Sequence, residues 1–303
     1  MSYREDQRRK AIGIRDGIFR DPGGGLFSKK EREFVLQDPS LNLWAGIRTD
    51  AINYFDRNSI QWWKEEDKNE PTGHLLSSQV ACINHLYFIR QRKDMATKIL
   101  QAVSDPIEEA VIVDDGYVEF EANGAINYLA ERAHTRGANS TSVDAIMVGK
   151  KGNGKNTLFL IEWKYTETYA RENKYIARRS KLYDKLLSDP ECPIATEDFE
   201  SLYYEPYYQL MRQTLLGWKM VQAREYNCDE YIHLHIIPEE NKELKDTVTS
   251  PKLSGSNMSK AWKNVLRQPE KYQIISPESF IRPADVCLDT ATFISYLEKR
   301  YWE

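Results

Sequence analysis

From residue 141 to 165 the chain reads TSVDAIMVGK, KGNGKN and TLFLIEWKY, two apolar runs joined by a glycine–lysine stretch. This pattern predicts two strands and a hairpin turn. Strand side chains alternate between faces. Leu158, Leu160, Glu162 and Lys164 therefore share one face of the second strand, and Phe159, Ile161 and Trp163 share the other. On the first strand Asp144 shares its face with Ile146 and Val148. If Lys150 and Asn156 close the hairpin, Asp144 falls opposite Glu162, where Cβ atoms lie roughly 4.5–5.5 Å apart.

The pattern elsewhere predicts the surrounding elements. Ser2-x-x-Glu5 fits a capping box opening a basic helix to about residue 20, which DPGGG at 21–25 breaks. Residues 41–55 read as a helix, and residues 75–103 as one long helix entered through Ser77-Ser78-Gln79. VEFE at 118–121 alternates as an amphipathic strand, and residues 128–139 read as irregular or a short helix. Helices follow at 171–187 and 207–223, then a buried strand at 231–237. A loop at 239–255, a helix near 258–267, a strand at 272–275 and a closing helix from Asp289 complete the chain.

Residues 75–237 thus run helix, strand, strand, strand, helix, strand, and helices on either side of a small mixed sheet make an α/β core. The expected division is a helical N-terminal extension at 1–74, the core at 75–238 and an α+β addition at 239–303. The 303 residues suffice for one large domain or two modest ones.

Composition narrows the class. No apolar run approaches the roughly 18 residues that a membrane crossing needs, and the N-terminus MSYREDQRRK has no signal-peptide core. A cytoplasmic protein is the expectation. Cys82, Cys192, Cys228 and Cys287 are widely spaced, which argues against a zinc ribbon or a disulfide framework. The net charge of −4 excludes a uniformly basic surface without excluding nucleic acid, whose binding depends on local charge. Residues 171–185 are locally basic, with Arg171, Lys174, Arg178, Arg179, Lys181 and Lys185 interleaved with tyrosines. That mix suits phosphate contacts or a solvated helix face.

The hairpin carries the candidate chemistry. Two opposed carboxylates repel, and one stays protonated unless a cation lies between them. Mg²⁺ suits such an oxygen-rich site. Lys164 reaches the same pocket as a proton-handling or charge-stabilising group. An Asp and a Glu-x-Lys on neighbouring strands form a set for metal-assisted attack of water on a phosphodiester. The competing explanation is a plain Glu–Lys ion pair at a strand end.

This order, with Asp144 and Glu162-Trp163-Lys164 at those places, resembles the PD-(D/E)xK nuclease superfamily, the restriction-endonuclease-like fold, over roughly residues 75–237. Within it the chain looks like a prokaryotic, restriction-like branch. The resemblance implies Asp144 and Glu162 as ligands of Mg²⁺ (Mn²⁺ as the alternative), with the Trp163 carbonyl as a third. It makes Lys164 the group that orients or deprotonates water. Gln79, Gln209, Arg212 and Gln213 look like the polar helix positions that such nucleases turn toward substrate. The implied activity is DNA endonuclease, of a restriction or defence kind, with DNA favoured over RNA as partner. A homodimer would supply the two sites needed to cut both strands. The alternative is a nuclease fold without catalysis, binding nucleic acid or a partner protein. The family's proline is absent, since Val143 precedes Asp144, and its upstream helix Glu is replaced by Gln79 and Asn84. Glu131 is the first candidate for the fourth acid, Glu121 the second and Glu119 the third.

Other motifs point to structure. Gly149-x-x-Gly152-x-Gly154-Lys155 lacks the Lys-Ser/Thr of a phosphate loop and reads as the hairpin turn, with Lys150, Lys151 and Lys155 as optional phosphate contacts. His233 and His235 share a strand face without a third ligand marked nearby, and read as core or surface residues. His134 is a weak functional candidate beside Glu131. Trp62-Trp63 fits packing beneath a loop better than stacking on bases, and the following KEEDKNEPTG reads as an exposed, acid-leaning connection.

Overall fold

The computed structural model describes residues 2–63 and 69–303, apart from the side chain of Arg179; residues 64–68 of the expected acidic connection lie outside the described residues. Helix α1 spans Tyr3–Ile18 and opens on the expected capping box, with Ser2 Oγ accepting from Glu5 N and the Glu5 carboxylate accepting from Ser2 N. A two-stranded ribbon follows, β1 Gly25–Phe27 and β2 Lys30–Arg32. The DPGGG break is held from within, because the Asp21 carboxylate accepts from the backbone N–H groups of Gly23, Gln37 and Asp38. Helix α2 is Arg48–Arg57, shorter than the expected 41–55 element because Pro39–Asn42 forms a separate 3-10 turn.

The long helix expected at 75–103 is two helices, α3 Ser78–Arg90 and α4 Lys93–Val103. Ser77 caps the first through Val80 N. The break falls at Gln91-Arg92, where a helix buried on almost every side meets a charged run. The turn lets α4 lay its apolar face, including Met95, Ile99 and Leu100, into the core beside the next strand, β3 Ile107–Val111. That strand was not expected. A bulge between Ile107 and Glu109 breaks its two-residue period and hides it from an alternation search.

Strands β4 Glu119–Ala122, β5 Val143–Lys151 and β6 Asn156–Trp163 follow, then helices α5 Ala177–Leu187 and α6 Tyr207–Gln222, then strand β7 Cys228–Ile236. Short helices α7 Lys242–Asp246 and α8 Met258–Lys263 precede strand β8 Tyr272–Ile275. Helices α9 Pro277–Ile281 and α10 Ala291–Leu297, with a π-helical turn at Glu298–Trp302, end the described chain.

These strands make one mixed six-stranded sheet in the order β3-β5-β6-β7-β8, with β4 beside β3 on the same edge of β5. The β5–β6 pairing is antiparallel and begins at Lys150–Asn156, as the turn residues predict. β6–β7 and β7–β8 are parallel. β8, expected in an appended layer, is hydrogen-bonded into the central sheet.

Two apolar clusters cover the two faces. Met147, Phe159, Ile161 and Trp163 join one that runs from Ala11 to Tyr301 and includes α3, α4 and α10. Ile146, Val148, Leu158 and Leu160 join the other, beneath α5, α6 and α8. Each fully buried side chain of this size contributes about 1.5–3 kcal/mol. Residues of all three expected segments pack into the first cluster, and Arg300 donates to Asn42 O while Asn84 donates to Tyr301 Oη at 3.0 Å. Helix α6 approaches β6 closely at Gly217, where a Cβ would stand 2.2 Å from Leu160 Cδ1.

Candidate active site

Three adjacent strands bring three carboxylates to one end of the sheet. The Ala145–Ile161 pair ends the β5–β6 register one step before Asp144 and Glu162. The pairs Phe120–Ala145 and Ala122–Val143 flank the point where Glu121 meets Asp144. Glu121, Asp144 and Glu162 thus form a row across β4, β5 and β6, and all three line one cleft of about 1810 Å³. The Glu121 backbone has φ 48°, a left-handed conformation that costs a non-glycine residue energy and concentrates at functional positions.

Each acid is held by its neighbours. Glu162 is 2% exposed. Its Oε1 accepts from Lys164 Nζ at 2.5 Å, and its Oε2 accepts from Gln213 Nε2. Gln213 Nε2 also donates to Ser142 O at 3.0 Å, and Lys164 Nζ to Gln209 Oε1 at 2.7 Å. The Tyr169 ring lies 5.9 Å from the same ammonium. Asp144 Oδ2 accepts from Trp163 N at 2.6 Å, which leaves Oδ1 without a protein donor among the described residues. Glu121 accepts from Gln79 Nε2 at 2.6 Å and from Ser142 Oγ at 3.2 Å.

Helices deliver these amides to the acids. Gln79 sits in the first turn of α3; its Oε1 accepts from Trp63 N at 2.8 Å and its Nε2 also donates to Gln61 O at 3.2 Å. Gln209, Arg212 and Gln213 lie at i, i+3 and i+4 on α6 and reach the cleft together. The Arg212 guanidinium stacks 4.5 Å from the Tyr208 ring, and its Nε has no hydrogen-bond partner. Gln213 Oε1 is likewise buried without a partner.

The electrostatics reflect crowded negative charge. Burial raises the Asp144 carboxyl well above its usual range, and the charges of Glu162 and Glu121 add to this. Glu121 is pushed up to about 7 by burial, against the hydrogen bonds from Gln79 and Ser142, with Glu162 adding to the rise. Burial disfavours the charged Lys164 ammonium, yet Glu162, Tyr169 and neighbouring acids reverse this and hold it well above its usual value.

A hard divalent cation fits the chemistry of this donor set. Three carboxylates line the cleft, burial drives two of them toward the protonated form, and Asp144 Oδ1 has no protein donor among the described residues. Among the described residues no three His, Cys, Asp or Glu side chains already stand at metal-holding spacing. Each Glu162 oxygen accepts one hydrogen bond, from Lys164 or from Gln213, and keeps a second lone pair for a cation. The Trp163 indole is buried against His85, with ring centroids 4.6 Å apart, and Trp163 is not among the residues that line the cleft.

The structure separates the candidates for a further acid. Glu131 does not join Asp144 and Glu162. Its carboxylate accepts from Thr141 N and Thr141 Oγ1, each at 2.6 Å, and from Tyr183 Oη, which closes its own loop. Glu119 accepts from Tyr226 Oη at 2.5 Å and faces Arg136 at 3.6 Å, outside the cleft lining. Glu121, second in the sequence ranking, stands beside Asp144. Gln79, expected to contact substrate, instead holds Glu121. His134 contacts Asn123 O at 3.3 Å outside the cleft lining. His233 and His235 are buried against Thr214 and Tyr272, and burial pushes both imidazoles down. Lys150 and Lys151 pair with Glu109 and Glu230, beside the hairpin turn at the far end of β5.

Sequence reasoning missed the N-terminal part of the cleft lining. Gly24, Leu26, Lys29, Trp63 and His74 belong to it. Only the tryptophan pair carried a usable signal. Trp62 is buried and stacked on Phe55, ring centroids 4.0 Å apart, whereas Trp63 is 71% exposed.

No helix among the described residues is long and apolar enough to cross a membrane. No curated protein and no solved structure matches the chain. A family model described as "Restriction Endonuclease associating with ARP" matches residues 7–302. With nearly its whole length matched, and a mixed six-stranded sheet flanked by helices, the chain belongs to that restriction-endonuclease-like family.

Proposed function

We propose that this chain is a metal-dependent nuclease that hydrolyses phosphodiester bonds of DNA. The observation that carries the reading is the row of Glu121, Asp144 and Glu162 across three adjacent strands, with the Lys164 ammonium in the same cleft. The family's description supports a nuclease role. The cleft also exceeds the roughly 300–1,000 Å³ typical of small-molecule sites, which favours an extended substrate.

In this reading Asp144, Glu162 and Glu121 would hold Mg²⁺ or Mn²⁺, with the Trp163 carbonyl as a further candidate. Such a cation supplies charge neutralisation at the phosphate and a more acidic water. Lys164, beside Glu162 in the same cleft, orients the attacking water and offsets the charge that develops on the phosphoryl oxygens. Gln209 and Gln213 set the position of that lysine and of Glu162. Arg212, stacked on Tyr208 and lining the cleft, is suited to hold a phosphate oxygen. The exposed residues Arg171, Arg178, Lys181 and Lys185 supply a basic face for the DNA backbone beyond the cleft.

One observation favours a second reading, a binding module without catalysis: among the described residues no three His, Cys, Asp or Glu side chains stand at metal-holding spacing. Incubation with plasmid and linear DNA, methylated and unmethylated, in Mg²⁺ or Mn²⁺ separates the two. A nuclease cuts, and loses cutting while keeping DNA binding when Asp144 is changed to Ala. Binding without cutting in either metal, unchanged in that variant, establishes the module. Absence of both leaves neither reading standing.

A further inference from the structure

Among the described residues seven large hydrophobic side chains are exposed, and two of them, Leu26 at 62% and Trp63 at 71%, line the cleft that holds the three acids. Exposed apolar side chains scattered singly are ordinary. Two in one cleft beside a carboxylate row are not a scattered pair.

Both are held in place by their backbones. Trp63 N donates to Gln79 Oε1 at 2.8 Å, and Gln79 Nε2 donates to Glu121 at 2.6 Å. The backbone that carries the exposed indole is therefore two hydrogen bonds from the acid row. Leu26 sits on the β1–β2 ribbon, opposite Glu31 in its register. The ribbon is pinned by Gly24 N to Arg32 O at 3.0 Å, by Gly25 N to Val35 O at 2.9 Å, and by Phe27 edge-on to His74. Its turn residues Ser28 and Lys29 have φ 51° and 60°, the positive pair of a tight hairpin turn. Lys29 and Arg4 are exposed at the same wall.

We propose that this N-terminal wall is the base-contacting surface of the cleft, with the Trp63 ring and Leu26 against the bases of bound DNA and Lys29 and Arg4 on the adjoining phosphates. The inference rests on the reading of the cleft as a DNA site and adds which side of it meets the bases. An aromatic face and an aliphatic wedge match the π-faces and apolar edges of bases, whereas flanking cations match the backbone. A two-stranded ribbon is also narrow enough to enter a DNA groove.

The test measures equilibrium binding of the full-length protein to duplex DNA without divalent metal, so that the DNA stays intact. The variants are Trp63→Ala, Leu26→Ala and Lys29→Ala, with Ile126→Ala as a control that is exposed but outside the cleft lining. Trp63→Ala is expected to weaken binding about tenfold or more, the effect of one lost base stack, with an unchanged salt slope. Lys29→Ala should lower that slope by about one phosphate contact. In a series of duplexes with a single abasic position, one position should weaken the wild type and leave Trp63→Ala unaffected. Wild type that binds DNA while Trp63→Ala and Leu26→Ala bind like Ile126→Ala overturns this inference alone. Wild type that binds no DNA overturns the reading of the cleft together with it.

Discussion

Lys164 Nζ lies 2.5 Å from Glu162 Oε1, and the two side chains are 7% and 2% exposed. A pair so buried is costly to break from one side, because the remaining charge stays unpaired in the interior. Lys164→Met and Glu162→Gln should each lower unfolding stability by about 3 kcal/mol. The double variant should lose clearly less than the sum. Denaturant titration of the four proteins measures the coupling, and strict additivity would show that the pair is not acting as a unit.

The row of acids makes stability depend on pH. The Glu121 carboxyl is pushed up to about 7 by burial, whereas an unfolded glutamate titrates near about 4.3. Between these values the folded chain binds the proton more tightly. The contribution is full below the unfolded value and is lost as pH rises through about 7. Without divalent metal, Glu121→Gln should therefore gain in melting temperature relative to wild type between pH 5 and pH 8. A constant difference across that range rules the effect out.

A ligand that removes the repulsion should stabilise the fold. Mg²⁺ or Mn²⁺ at a hundred times its dissociation constant adds about 2.7 kcal/mol, read as a rise of a few degrees in the melting temperature. Asp144→Asn and Glu162→Gln should abolish most of that rise. An equal rise in wild type and both variants would place the cation elsewhere.

Gly217 sets the distance between α6 and β6. Gly217→Ala forces its Cβ toward Leu160 Cδ1, which stands 2.2 Å from that position, and should cost about 1–3 kcal/mol. Gln213 lies one turn earlier on the same helix, so the proposed DNA cleavage should fall as well. Gly13→Ala in α1, with nothing within 4 Å, is the control and should be neutral or slightly stabilising. Equal melting temperatures for the two variants would show that the helix yields without cost.

Much of the centre was legible because it is local. The turn at Lys150–Asn156 sets a register, and alternation then carries Asp144 opposite Glu162 with no further information. The 3–4 spacing of Gln209, Arg212 and Gln213 likewise places them together on one helix. Glu121 was harder to rank. Its approach to Asp144 needs a positive φ inside a strand, and no apolar period encodes that. Glu131, nearer to Asp144 in the chain, looked better until its loop turned the carboxylate onto Thr141 and Tyr183. The bulge in β3 erased the alternation that betrays a strand, and β8 looked detached because parallel pairing joins segments far apart in sequence. The cleft wall at Leu26 and Trp63 depends on contacts across the whole fold, which only the coordinates supply.

The cleft lining is drawn from separate stretches of chain: the acids and their lysine fall between residues 121 and 164, and the ribbon between 25 and 32. Substitutions in the ribbon can therefore alter the shape and charge of one part of the cleft while the acid row and its lysine stay as they are.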